Sequence, residues 1–353
     1  MGRTTLQTIA DRVGVSRMTV SNAFSRPDQL STELRNRILA VADKLGYVGP
    51  DPTARALASG TAGAVGLLLS ETPAYALTDE VATAFLAGIA DELSPTGLAL
   101  TLLSATARSS VIPARDVALD GAVVYSCDTR SNAVDWLMRR KLPLVFVDQA
   151  PAPGIDSINV ADRLGAKAAA EHITALGHRR VAIVTTGYAG PHGHLTAIPD
   201  APLAHTESQR LLGWFDGLDV AAPLIVRLPH ANPYDTGFEA GQQILASRPR
   251  PTAVLCFSDA IARGVMDAVA AAGLRVPTDI SVVGFDDNPL SHRTQPTLTT
   301  VRQNVDAKGR AAATALLAAI ERSKSGTRGR AKRIMLPTEL VVRDSTARPR
   351  RTG

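Results

Sequence analysis

Between Thr5 and Phe24 the apolar positions fall as Leu6, Ile9, Ala10 and Val13, the i, i+3, i+4, i+7 spacing that lines one face of a helix. Gly14 follows, a residue free to take the left-handed geometry that closes a helix. Val15 can then drop into a small core, and Ser16 stands where a hydroxyl caps the free amides of a new turn. Val20 and Ala23 are the buried positions of this second helix. Arg17, Met18, Ser21 and Asn22 are left facing out. A face mixing Arg, Met, Ser and Asn at a helix start is a poor solubility face, and it suits the base edges of a DNA major groove.

A third helix follows from Ser31, with Leu34, Ile38, Leu39, Val41, Ala42 and Leu45 as its apolar stripe and Gly46 as its stop. Gly-Pro-Asp-Pro (49–52) leads into TARALASG, where Asp51, Pro52 and Gly60 outline a helix of about two turns. Two turns alone are unstable in water, which predicts folding on a partner such as DNA. From Gly63 the pattern changes to near-continuous apolar runs separated by Ala-rich helical stretches. The runs are 64–70, 98–103, 121–126 and 142–148, then 180–186, 223–228, 253–259 and 280–287. Runs of this kind read as parallel strands buried on both faces, and two successive sets predict two doubly wound α/β halves.

Charge distribution strengthens the nucleic-acid reading. The chain carries +5 overall, and residues 1–60 hold eight Lys/Arg against five acids, +3 in the first sixth of the chain. No apolar run is long enough to span a membrane, and the N-terminus is charged where a signal peptide needs a hydrophobic core, so a cytoplasmic protein is expected. Cys127 and Cys256 lie in apolar runs and read as reduced structural thiols. No phosphate-binding Gly-rich loop, nucleophile elbow or His-Glu-x-x-His occurs, so no catalytic residue, cofactor or metal is expected. His192, His194 and His205 sit in the long stretch 187–207, which reads as a mobile cleft-edge loop rather than a metal site. The basic stretch from Arg322 to Arg333 reads as a solvated linker, and residues 347–353 as a disordered end.

Ligands of open parallel sheets sit beyond the carboxyl ends of the strands. The runs end there in Ser70, Asp148, Ser258 with Asp259, and Asp286 with Asp287. Converging carboxylates and hydroxyls suit a polyhydroxylated ligand such as a sugar, with Arg210 on the donor side. Asp259 reads as a cap of the helix after it, whereas Asp148 and Asp286 precede no obvious helix and read as ligand contacts. Tyr125 ends a strand and is either cleft lining or core; Trp214, beside Leu211, Leu212 and Phe215, reads as core.

At this point the chain resembles the lactose-repressor family of bacterial transcription regulators. TLQTIADRVGVSRMTVS matches its signature and YVGPDPTARALASGTAGAVGLLL its hinge and first strand; ALGHRRVAIV, RPTAVLCFSD, GLRVPTDISVVGFDD, PTLTTVRQ and LPTELVVR follow in the family's order. The stretch from Tyr47 to Leu57 is one residue longer than usual, with Gly49 the insertion. The resemblance implies an all-α helix-turn-helix domain (1–48), a hinge helix (49–61) and a periplasmic-binding-protein-like sensor (62–346) whose chain crosses between its lobes three times. Lobe 1 takes about 62–160 and 292–321, lobe 2 about 161–291 and 322–346. The expected DNA contacts are Thr5, Ser16, Arg17, Met18, Thr19, Ser21, Asn22, Ala54, Arg55 and Leu57, with Leu57 as a minor-groove wedge. The expected ligand contacts are Ser70, Tyr125, Asp148, Arg210, Ser258, Asp286 and Gln303, with Arg210 and Asp286 on the family's effector-contacting positions. The implied function is a ligand-controlled regulator, a repressor, that binds a palindromic operator on double-stranded DNA. It would act as a homodimer, because no apolar heptad follows Val342 to build tetramers, and its effector would be a carbohydrate. A sugar-binding or sugar-handling protein with an accessory helical domain is the alternative, and it would have no use for a hinge carrying Leu57.

Overall fold

Thr5, Ser16 and Ser31 start the three N-terminal helices, each by accepting a hydrogen bond from the backbone amide three residues on. The fold is that of a computed structural model, which describes residues 4–350 apart from 50, 52–55, 57–59, 107–110, 128–130, 188–189, 201–202, 221, 230–231 and 328. The helices are Leu6–Val13, Arg17–Ser25 and Thr32–Lys44. Thr8 returns a contact to the Thr5 amide, which completes a capping box, and Gly14 closes the first helix at φ 77°. Ile9, Ala10, Val20, Ala23, Ile38 and Ala42 form the core of this unit, ringed by Leu6, Val13, Val15, Leu34, Val41 and Leu45. Leu39 does not join that cluster: one residue on from Ile38, it lies about 100° further round the helix. Gly49 has φ +125°, a conformation only glycine adopts readily. Ala54, Arg55 and Leu57 lie outside the described residues, so the hinge helix is not described.

Residues 1–63 and 64–353 are two compact units. The larger one holds two sheets. The first runs Arg333–Leu336, Asp156–Val160, Leu144–Val147, Gly121–Tyr125, Ala64–Leu69 and Ala99–Ser104, all parallel. The second runs Thr338–Val341, Thr299–Gln303, Ser281–Asp286, Ala253–Cys256, Val181–Gly187, Leu224–Pro229 and Gly193–Leu195. Its five inner strands are parallel, and the two edge strands are antiparallel to their neighbours. Helices Glu80–Leu93 and Val305–Lys324 cross against the first sheet at Gly88 and Gly309, where any side chain would overlap the opposing backbone.

The chain passes between the lobes at three adjacent points, next to Ala161, Asn304 and Pro337. Two of these crossings are tied together: the Ala161 amide donates to Leu336 O (2.9 Å) and Thr338 Oγ1 to Ala161 O (3.0 Å). Two segments change lobe relative to the expected division. Thr299–Gln303 pairs with Ser281–Asp286 in the second sheet, and only the helix after it returns to the first lobe. Arg333–Leu336 pairs with Asp156–Val160 in the first sheet before Thr338–Val341 joins the second.

Other expectations are corrected by pairings remote in sequence. Segment 187–207 is not only a loop, since Gly193–Leu195 pairs with Leu224–Pro229 and Arg227 Nη1 holds Pro191 O at 2.8 Å. Residues 347–350 dock on the second lobe rather than trailing as a disordered end. The Ala347 amide donates to Ser281 Oγ (3.0 Å), Ala347 O lies 2.8 Å from His178 Nε2, and Arg350 pairs with Asp279 at 2.9 Å. The basic stretch is not a free linker at its start: the helix continues to Lys324, and Arg322 pairs with buried Asp156 at 2.7 Å. Among the described residues no helix is long and apolar enough to cross a membrane, and Cys127 and Cys256 are buried free thiols.

Candidate functional site

Helix Arg17–Ser25 buries Val20 and Ala23 and turns its first residues outward. Arg17 is exposed and Met18 is 69% exposed, a large apolar side chain with no core to fill. Thr19, Ser21 and Asn22 are half-buried. Asn22 Nδ2 donates to Gln29 Oε1 at 3.1 Å, which holds its amide in place, and Ser16 Oγ and Thr19 Oγ1 lie 2.8 Å apart. Thr5 and Ser16 use their hydroxyls to cap helices.

In the larger unit the strand ends converge on one cleft between the lobes. Ser70, Tyr125, Asp148, Arg210, Ser258, Asp286 and Gln303 all line it, the whole set expected from the sequence. Parallel register does this: Leu69 lies beside Tyr125 and Tyr125 beside Val147, so the residues that follow emerge on one edge. Ser126, Asp148 and Asp286 have φ of 51°, 55° and 122°, unfavourable for residues with a side chain. Backbone held this way at strand ends marks a place where surrounding structure dictates side-chain direction.

Arg210 is 4% exposed and organises the second-lobe side. Its Nε donates to Asp162 Oδ1 at 2.8 Å, Nη1 donates to Phe257 O, and Nη2 lies 3.6 Å from Asp286 Oδ1. The guanidinium lies against Phe257 and Phe285, 4.6 and 3.5 Å from their ring centres, which fixes its plane. Asp286 Oδ1 accepts from Gln303 Nε2 (2.7 Å), and Gln303 Oε1 accepts from Lys308 Nζ (3.0 Å). Lys308 Nζ also donates to Asp148 Oδ2 at 2.5 Å. A chain of charged and polar groups thus spans the floor of the cleft from one lobe to the other. Burial pushes the Asp286 carboxyl up to about 7, opposed by the Arg210 charge and the Gln303 hydrogen bond. Burial also raises Asp162, again against Arg210.

Several expectations are refined here. Ser258, not Asp259, caps helix Asp259–Ala271, accepting from the Ile261 amide at 3.2 Å. Asp259 instead turns into the core, where it takes hydrogen bonds from Thr300 Oγ1 (2.5 Å) and the Asn288 amide (3.1 Å). Asp287 is fully engaged by Arg343, Arg302 and Ser291. Tyr125 both lines the cleft and stacks on Phe85, ring centres 4.3 Å apart. Trp214 is core, 1% exposed. Among the described residues no cluster of His, Cys, Asp or Glu could hold a metal.

The sequence reading did not single out Lys308, Asp162 or Thr206. A signal for Lys308 was present: with Ala312 and Leu316 it forms an i, i+4, i+8 stripe, a lysine on the buried face of an Ala-rich helix. Asp162 follows strand Asp156–Val160, whose polar residues disguise it.

Comparison with known proteins supplies further findings. Residues 5–49 match bacterial regulatory proteins, lacI family, and residues 170–346 match a periplasmic binding protein-like domain. An HTH-type transcriptional regulator of Mycolicibacterium smegmatis is 37% identical over 331 residues, 88% of this chain and 89% of that protein. A LacI-family transcriptional regulator from Corynebacterium glutamicum has a solved structure with TM-score 0.69 and 31% identity, covering 99% of both chains. A complex of the transcriptional regulator CelR with cellobiose matches with TM-score 0.68 and 25% identity, over 97% of this chain and 100% of that one.

Proposed function

Because the chain belongs to the lacI family of bacterial regulatory proteins and is a ligand-responsive DNA-binding transcriptional regulator, we propose that it is a repressor gated by a carbohydrate in the interlobe cleft. On this reading two chains hold an inverted-repeat operator, in the cytoplasm, with helix Arg17–Ser25 of each in a major groove. Arg17 reads a guanine bidentately, Asn22 an adenine edge, and Met18 offers apolar contact to a thymine methyl. Thr5, Ser16, Thr19 and Ser21 face the sugar-phosphate backbone around that helix, and the hinge residues Ala54, Arg55 and Leu57 enter the minor groove.

One observation carries the ligand half of the reading: the polar strand ends of both lobes converge on a single cleft, with Arg210 and Asp286 clamped at its floor. A ligand touching both lobes changes the free energy of their relative arrangement, which is the requirement for an allosteric effector. Sugar hydroxyls are donors of the kind that the carboxylates of Asp148 and Asp286 accept. The cellobiose complex of CelR is a precedent for a sugar in this fold.

The test is a gel-shift titration on DNA upstream of the gene and its neighbours, with and without a sugar panel. A sugar that shifts operator affinity and also raises the melting temperature supports the reading. Specific DNA binding that no member of the panel changes, together with no thermal shift, would sink the carbohydrate assignment.

A further inference from the structure

Among the described residues three buried side-chain atoms lack a hydrogen-bond partner: Asp148 Oδ1, Gln149 Oε1 and Thr206 Oγ1. Asp148 and Thr206 line the cleft, are 7% and 8% exposed, and belong to opposite lobes. Folding seldom leaves such atoms unsatisfied without a reason, and a ligand that reaches them is one. The other oxygen of Asp148 is held by Lys308, itself 1% exposed on helix Val305–Lys324 just after the Asn304 crossing. A buried ammonium is costly unless its partners are well placed, and Lys308 has two, Asp148 Oδ2 and Gln303 Oε1.

We infer that Lys308 sets the charge selectivity of the cleft: it neutralises Asp148 and leaves Oδ1 as the acceptor for a hydroxyl of an uncharged polyol, which Thr206 contacts from the other lobe. The inference rests on the cleft being the effector site. The charge balance points the same way. Asp148, Asp162 and Asp286 face Arg210 and Lys308, and both cations are already engaged by those carboxylates. Glu71 and Asp79 add further acidic groups to the lining. A carboxylate or phosphate on the ligand would enter a site whose two cations are already held by carboxylates. An ammonium on the ligand would compete with Lys308 for Asp148, like charge beside like. A hydroxyl meets neither obstacle.

The experiment uses the full-length protein, with thermal shift followed by calorimetry. Its probes are neutral pentoses, hexoses and alditols, set against the matched hexuronates, hexosamines and hexose 6-phosphates. Only neutral members should bind; tighter binding of a uronate or a phosphate overturns the inference. For the neutral sugar found, Lys308→Met should lower affinity at least tenfold and move preference toward the matched hexosamine, whose ammonium replaces the lost cation beside Asp148. A purely structural lysine would not produce that exchange of preference. Thr206→Val, close in shape, should weaken the same ligand several-fold and reports independently of any folding defect at Lys308. Arg210→Ala separates the two levels of argument. If it abolishes binding while Lys308→Met and Thr206→Val leave affinity and preference unchanged, the inference fails and the cleft remains the site. If Arg210→Ala also changes nothing, the ligand binds elsewhere and both fail.

Discussion

Asp286 sits among charged groups that set when it can act as an acceptor. Arg210, Lys308 and Asp79 surround it, and burial holds its carboxyl at about 7. Below that value it is protonated and above it ionised, and a sugar hydroxyl donates best to the ionised form. Effector affinity should therefore rise about tenfold between roughly pH 6 and pH 8, as a single group titrating near 7 requires. Calorimetry across that range checks this, and Asp286→Asn should flatten the profile. Folding responds with the opposite sign. A carboxyl raised in the folded state binds more protons there than in the unfolded chain, so stability contributed by this group falls as pH rises from about 4 to 7. Arg17 carries a prediction of a different kind. Arg17→Ala should cost about 1–3 kcal/mol of operator binding and relax preference at one symmetric pair of positions. A uniform loss over all operator variants, measured by gel shift, would make Arg17 a phosphate contact. Residues such as Asp148, Arg210 and Asp286 were legible because a charge beside or at the end of an apolar run is costly to bury unless it caps a helix or meets a ligand. Thr206 was not, because its significance lies in a hydrogen bond it lacks.

Elements were legible where one physical rule acts locally. Thr5, Ser16 and Gly14 bound the first two helices through contacts within four residues, and the long apolar runs became parallel strands because both faces are covered. Asp156–Val160 escaped notice because its polar residues are satisfied from far away: Asp156 by Arg322 and the Lys332 amide, Asn159 by Gln149. The same holds for the docked residues 347–350 and for strand Gly193–Leu195. That strand pairs with the strand of Arg227, which forms a buried ion pair with Glu207, with contacts of 2.6 and 3.0 Å and side chains 2% and 1% exposed. A side chain at Gly187 would occupy the space of the Arg227 guanidinium and push it off Glu207. Removing one partner strands a buried charge, so Glu207→Ala should destabilise the sensor by about 3–5 kcal/mol, read from denaturant unfolding. A loss under about 1 kcal/mol would mean that water reaches Arg227 and the pair is not a structural clamp. At the hinge, Leu57→Ala should lower specific operator binding strongly while weak non-specific binding and effector affinity persist, since a leucine wedge is useful only on bent DNA. Unchanged specific binding would place the wedge at another residue.

The whole molecule joins a small helical unit and a two-lobed sensor in one chain, and its function requires that each alter the other. One reading helix covers too few base pairs for specificity, so two chains related by a two-fold axis are expected on an inverted repeat. Light scattering should give twice the 37.1 kDa chain mass for the free protein, and that mass plus the operator duplex on DNA; a monomer in both states removes the operator symmetry from the argument. Coupling between sites then obeys a stricter rule than mass. If two bound sugars, one per subunit of the dimer, change operator affinity by some factor, bound operator must change the product of the two sugar affinities by the same factor, because both close one thermodynamic cycle. The two can be measured separately, by operator titrations at saturating and zero sugar, and by sugar calorimetry with and without saturating operator. An operator factor above about fivefold, the lower end of ordinary allosteric coupling, is expected, equal to the square of the per-site sugar factor. Arg210→Ala and Asp286→Ala should bring both factors to one while operator binding stays near normal, since a ligand that no longer bridges the lobes cannot distinguish their arrangements. A departure from that square relation would mean that the sugar also acts at a second place, outside the cleft, and that the cleft alone does not account for control.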